Sequence, residues 1–423
     1  MSLTRSLTRS LTRPLNVADL TSVDYIGFNP FALDPYLLFD AESSMMGTLE
    51  AETLDLDPAF PDSLDVITAT RAGTATITDQ DGNIATAPSD TVRVDYVDGV
   101  PMILVEPSAT NLTQRSEPLL SEFHTTGTNI PNGIVVEEAT PAYGFNRWID
   151  IQTNPSGSGY GDAVRLRLNA PTSVTSGATY TFSVYVRTSD GSPPISTSSN
   201  TNGDFSLLLG PLLRNTTVVH IKNDLYRVVA THTYTDTPAN LYLLKYPEQS
   251  SKGIKVTGFQ FEAGSVATSY IPTAGSAVTR AADDLVISGS DFTNFFNSGG
   301  DGTFYAEFTQ SQTEIASYLL NGGSYNARFF YSNNSSTLLN SFDGSNGPSR
   351  GTITINQLQR AAMSYNASTC SLSLNGTSES TTSTNGNFGL ATKLVIGGGP
   401  SNNLHLNGHI KRLIYWPTHS DSL

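Results

Sequence analysis

Six histidines, one cysteine and 38 carboxylates are the groups in this 423-residue chain that can bind a metal or do acid, base or nucleophilic chemistry. Among His124, His220, His232, His405, His409 and His419, no pair has the helical H-x-x-x-H spacing with a neighbouring glutamate that a zinc peptidase needs. His405 and His409 are four apart but flank Gly408 in a strand-like context. Cys370 lies in a strand-like run without a basic neighbour to lower its pKa, so it reads as a small buried apolar residue. As the lone cysteine it excludes an intramolecular disulfide. Gly157-Ser158-Gly159-Tyr160-Gly161 lacks the central serine of a nucleophile elbow and does not link a strand to a helix, and Gly397-Gly398-Gly399-Pro400 has no lysine to meet a phosphate. In Asp79-Gln80-Asp81-Gly82-Asn83 the glycine is fourth and no glutamate closes the run, which predicts a hairpin turn rather than a calcium loop.

Glycoside hydrolysis needs two carboxylates facing one bond, about 5–10 Å apart. Glu137-Glu138 and Asp283-Asp284 are adjacent pairs, which a strand points to opposite faces. Between Asp301 and the C-terminal tail the acids are only Glu307, Glu314, Asp343 and Glu379, without the closely spaced E-x-D-x-x-E of lectin-fold hydrolases. The expectation is no enzyme: no catalytic residue, no metal and no cofactor. Sugar binding asks for aromatic faces and planar polar groups instead. Candidates are Tyr143, Trp148 and Tyr160 in the middle of the chain, and Tyr325, Asn326, Tyr331, Asn333, Asn334 and Asp343 towards its end. The opposing reading of each aromatic is a sandwich core residue. The Gly/Asn/Ser/Tyr-rich run 321–349 is the better exposed surface.

These groups need a scaffold, and composition bounds it. Lys and Arg total 23 against 38 Asp and Glu, a formal net charge of −15, which argues against a nucleic-acid partner. Charged residues make up only 14%, and 49 serines and 51 threonines keep the surface wet. No apolar run reaches the roughly 20 residues of a membrane span, and the start lacks the apolar stretch of a signal peptide. Ser-Leu-Thr-Arg occurs three times in residues 2–13. In a helix its period of four would line up Leu3, Leu7 and Leu11 on one stripe and Arg5, Arg9 and Arg13 on another. Residues 1–20 therefore read as a docking tail that orders on a partner. Residues 21–64 read as an extended acidic segment: between Pro14 and Thr70 there are eleven acids and neither Lys nor Arg. The basic tail of a neighbouring copy is one candidate partner.

From Asp65 onward period-2 alternation with Gly, Asn and Asp at the breaks predicts strands, and long helical patterns are absent. The fold class is all-β: two antiparallel β-sandwich or jelly-roll modules, at 116–280 and 281–423, after the irregular N-terminal segment and a small β module at 65–115. Thr179 to Arg187 is the clearest strand of the first sandwich. Asn375-Gly376 is the best hairpin turn in the chain.

Several runs resemble virion proteins of tailed bacteriophages: Ala69 to Thr76, Asp79 to Gly82, Arg93 to Tyr96 and Leu104 to Leu112. The most specific run, Gly258 to Gly264 with Ala267 to Thr273 and Val278 to Asp283, looks like the close of a carbohydrate-binding-like jelly roll in phage tail and fibre proteins. Leu406 to Leu413 and Tyr415-Trp416-Pro417 resemble the last strand of their concanavalin A-like lectin domain. The resemblance spans about 65–423 and leaves 1–64 unmatched. It implies a virion protein made in the bacterial cytoplasm, a tail fibre or similar appendage. Its N-terminus would dock to other virion proteins and its sandwiches would touch host surface glycans. Such fibres are commonly homotrimers, without membrane insertion. The alternatives are a capsid decoration, head fibre or scaffold protein that binds no sugar, and a secreted carbohydrate-active enzyme.

Overall fold

A computed structural model describes residues 54–123, 128–168, 174–235, 241–312, 316–332, 337–381, 387–401, 404–420 and 423. The repeat residues Leu3, Arg5, Leu7, Arg9, Leu11 and Arg13 lie outside them, as do Asn333 and Asn334. The described chain is almost entirely β, in antiparallel sheets that stack as two sandwiches.

The first sandwich faces a four-stranded sheet against a six-stranded one. The smaller runs Val164–Arg167, Leu241–Lys245, Ser206–Leu209, Leu212–Leu213; the larger runs Thr217–Lys222, Leu225–Thr233, Thr179–Thr188, Ile254–Ala263, Trp148–Ile151, Val135–Glu138. Tyr180, Phe182, Val184 and Val186 alternate into the core with Phe205, Leu207, Phe259 and Phe261, as the period predicts. The opposite face of the same strand is buried as well. Residues 263–271 fold back over it, so Thr181 Oγ1 donates to the Gly264 carbonyl and Tyr185 packs edge-on to Tyr270. The register shifts between Ser183 and Tyr185, opposite Gly258, which has φ +59°. A Cβ there would lie 2.7 Å from the rings of Phe145 and Tyr185, so only glycine fits.

The second sandwich pairs an eight-stranded with a seven-stranded sheet around Phe304, Phe329, Phe330, Leu394 and Tyr415. Asn375 and Gly376 both adopt positive φ, as the predicted hairpin turn requires.

The small β module expected at 65–115 is not a separate sheet. Val94–Val97 and Val100–Val105 extend the eight-stranded sheet beside the last strand, Gly408–Trp416, while Thr68–Thr70 joins the seven-stranded sheet through Asp284–Ser288. Two small pairs stand apart: Ala109–Asn111 with Val278–Arg280, and the hairpin Ala75–Thr78/Ile84–Ala87. The hairpin turns at Asp79 to Asn83 as predicted, with the Asp79 carboxylate accepting the Asp81 and Asn83 amides. It lies against the jelly roll, where Ile84 N donates to the Tyr143 carbonyl. The described end of the acidic segment is not irregular either. Leu54–Leu56 pairs with the last strand, Leu54 and Leu56 are fully buried, and Asp55 between them binds Arg412 at 2.6 Å. Alternation hid these strands because they are short and complete a sheet formed elsewhere in the sequence.

Candidate functional site

Pairing in the four-stranded sheet sets Arg167 opposite Tyr242 and Arg165 opposite Leu244. Val164, Leu166, Leu241 and Leu243 turn into the core, so Arg165, Arg167, Tyr242 and Leu244 stand on the outer face, where Tyr242, Leu244 and Tyr246 cluster with Leu208 and Leu213. The short helix Gly159–Asp162 brings Tyr160 over this face. The Arg165 guanidinium lies 4.8 Å from the Tyr160 ring centre and that of Arg167 5.7 Å from Tyr242. Tyr160 remains 43% exposed. Its loop is fixed: Asn154 Nδ2 donates to the Pro247 and Gln249 carbonyls, and Gly159 N to Glu248 Oε1 at 2.6 Å. Burial raises the phenol pKa of Tyr242 and Tyr246 above the usual value, which keeps both as neutral hydrogen-bonding groups. Through Leu213 the face adjoins a groove of about 700 Å³ lined by Ser198, Leu212, Arg214, Asn215 and Thr231. A ring face, guanidinium edges and a groove of small hydroxyl and amide side chains suit a saccharide.

A second aromatic surface lies on the C-terminal sandwich. Arg328 sits 4.8 Å from the Phe342 ring, 5.2 Å from Tyr331 and 5.5 Å from Tyr325, and Tyr331 stacks on Tyr318. Tyr325 is 49% exposed and Asn326 is exposed beside it.

Several predicted sugar ligands sit elsewhere. Trp148 is buried with its edge towards Phe145, its ring beside Arg187 and its Nε1 without a partner. Tyr143 donates its hydroxyl to Asp224, which also binds Arg187 at 2.7 Å. Both belong to the seam with the hairpin. Tyr331 is buried under its neighbours, and Asp343 is fully buried, accepting the Ser345 and Asn346 amides to hold a turn. Of the aromatics named from sequence Tyr160 lies on this face; Arg165, Arg167, Tyr242 and Tyr246 beside it were not named. The signal was present as period-2 alternation: Val-Arg-Leu-Arg at 164–167 and Tyr-Leu-Leu-Lys-Tyr at 242–246 place those side chains on one face.

Glu314 and the Glu379 side chain lie outside the described residues, and the other acids weighed for catalysis are engaged. Glu307 is buried and receives Lys411 Nζ at 2.6 Å and the Tyr305 hydroxyl at 2.7 Å. Glu138 binds Lys255, and Glu137 lies 3.7 Å from Arg147. His405 pairs with Asp284 and His409 with Asp95, 3.1 and 3.0 Å away.

Asp283 has another task. It joins Arg71, Arg93, Arg280 and Glu106 in a buried ion cluster between the two sandwiches. Arg93 Nη2 donates to Glu106 Oε2 at 2.7 Å, Arg93 Nε to Asp283 Oδ1 at 3.1 Å, and Arg71 Nη1 to the same oxygen at 2.9 Å. Arg280 lies 3.3 Å from Glu106. The jelly roll contributes Ser269, whose amide and hydroxyl both donate to Glu106 at 2.7 Å. Burial alone would raise the Glu106 pKa, but Arg280, Arg93 and Ser269 outweigh it and hold the carboxyl well below its usual range. Burial would likewise lower Arg93, yet Glu106 and Asp283 hold its pKa above the ordinary value. All six residues come from the runs that carry the phage resemblance, so those runs build this joint.

No family model and no curated protein matches the chain. Solved structures with some likeness include a proposed carbohydrate-binding protein of Bacteroides ovatus (8% identity over 61% of this chain and 76% of that one, TM-score 0.26). The CBM22 tandem of Paenibacillus barcinonensis Xyn10C gives 10% identity over 72% and 99%, with TM-score 0.22. The tripod of the bacteriophage Tuc2009 baseplate gives 13% over 76% and 98%, with TM-score 0.24. Overlaps this low carry no argument about ligand or assembly, and the all-β architecture of this chain rests on its own sheets.

Proposed function

We propose that this chain is a non-enzymatic subunit of a bacteriophage surface appendage, of tail-fibre type, that binds host surface glycan through the outer face of its four-stranded sheet. The observation that carries the glycan reading is Tyr160, half exposed and lying over Arg165 on the outer face that also holds Tyr242. The virion context rests on the sequence resemblance. The engagement of Glu307, Glu138, Asp283 and Asp343 supports binding without hydrolysis. One weak site per chain would gain avidity from many copies, and a homotrimer is the expected assembly. The test is binding of the full-length chain to a glycan array and to whole bacteria, beside Tyr160→Ala. Saturable binding that the substitution weakens supports the reading; a folded chain that binds neither overturns it.

A second reading keeps the virion and drops the sugar: a decoration or scaffold subunit. It is favoured by one observation, that the resemblance-carrying residues converge on the buried joint. The same experiment separates the two.

A further inference from the structure

The glycan reading above leaves the class of sugar open, and the following inference rests on that reading. We infer that the four-stranded face takes an anionic saccharide, one carrying a uronate carboxylate or a sugar phosphate, rather than a neutral one. The chain is strongly acidic, and among the described residues eight of fourteen arginines, Arg71, Arg93, Arg115, Arg147, Arg187, Arg280, Arg360 and Arg412, have a carboxylate within 4 Å. Arg165 is not one of them: among the described residues no carboxylate pairs with it, and its buried Nε has no hydrogen-bond partner. The guanidinium lies over the Tyr160 ring, 4.8 Å from its centre. Stacking leaves the N–H edge of a guanidinium as its hydrogen-bonding side, and that edge matches two oxygens of a carboxylate or phosphate.

Arg167 lies two residues on, on the same face, and Arg214 lines the adjoining groove. Two acids flank the face, Asp162 and Glu248. Both fold back on the Tyr160 loop, where Asp162 accepts the Ser158 amide and Glu248 the Gly159 amide. Arg165 and Arg167 on one face offer an anionic group directed N–H contacts that a neutral sugar would not need.

The test uses the full-length chain with matched probes. Polygalacturonate is compared with its methyl ester, which keeps the rings and removes the charge, and a glycerol-phosphate teichoic acid and dextran complete the set beside whole bacteria. The expected result is binding to polygalacturonate or teichoic acid at least tenfold tighter than to the ester or dextran, weakening as salt is raised. Arg165→Gln should remove most of that preference. Tyr160→Ala should weaken charged and neutral probes alike. Equal binding to acid and ester overturns the inference and leaves the glycan reading standing. Binding to no probe and no bacterium, by a chain whose circular dichroism shows it folded, overturns both.

Discussion

Arg93 and Asp283 are 190 positions apart and meet as a buried pair, with Asp283 Oδ1 shared between Arg93 Nε and Arg71 Nη1. The Asp283 carboxylate also accepts the Glu106 amide at 2.9 Å. One side chain thus ties a strand of the N-terminal extension, the chain leaving for the jelly roll and the chain returning from it.

Removing that carboxylate strands three guanidinium groups away from water. Breaking a buried pair by deleting one partner costs about 3–5 kcal/mol. Asp283→Ala should therefore lower the urea midpoint sharply, whereas Asp190→Ala, at an exposed loop position, should leave it nearly unchanged. Equal midpoints for the two variants would exclude a stabilising role for the cluster.

The same cluster sets an acid limit. The Glu106 pKa is lower in the folded chain than in the unfolded one. Its contribution to stability is therefore complete above the ordinary glutamate range, near pH 4.5, and is lost as pH falls below that towards the folded value. Thermal unfolding between pH 7 and pH 3 should show this decline. In Glu106→Gln the curve should start lower and fall less steeply; a parallel curve would count against the assignment.

Gly144 tests the seam between hairpin and jelly roll. Its φ is +81°, and a Cβ would lie 2.0 Å from the Ile84 carbonyl oxygen. Gly144→Ala should cost about 1–3 kcal/mol through strain and a displaced hairpin. Limited proteolysis should then cut near Asp79 to Asn83 faster than in the parent chain.

Cys370 is fully buried, and burial pushes its thiol well above the usual pKa. Iodoacetamide at pH 8 should label it slowly in the native chain and rapidly in urea. Fast native labelling would show that the C-terminal sandwich opens.

At the proposed binding face, Tyr160→Ala should weaken saccharide binding roughly tenfold, about 1–1.5 kcal/mol of stacking, with little change in stability. Trp148→Ala should behave in the opposite way, as a large core deletion. Isothermal titration and denaturation on both variants distinguish a platform residue from a core one.

The all-β class was legible because strands such as Thr179–Thr188 carry their own alternation, and the Asn375-Gly376 and Asp81-Gly82 turns carry their own backbone demands. Leu54–Leu56 and Thr68–Thr70 were not legible as sheet members, since three residues hold no period and their partners lie hundreds of positions away. The exposure of Tyr160 was legible because an aromatic in a glycine-rich loop stands out. Trp148 was misplaced for a related reason: residue type says what a ring can do, while only the sheet says which side it faces. The joint was visible as a resemblance, but the meeting of Arg71, Arg93, Glu106, Ser269, Arg280 and Asp283 at one buried point is a property of the topology alone.

The pairing of Leu54–Leu56 with Gly408–Trp416 fixes how tension would travel through the molecule. A pull on the chain ahead of Leu54 first loads the final strand, where Asp55 grips Arg412, and thus enters the C-terminal sandwich. It reaches the jelly roll across the charged joint, the hairpin seam at Ile84 and Tyr143, and the covalent crossings beside them. The Tyr160 face accordingly lies on the sandwich that such a load reaches last.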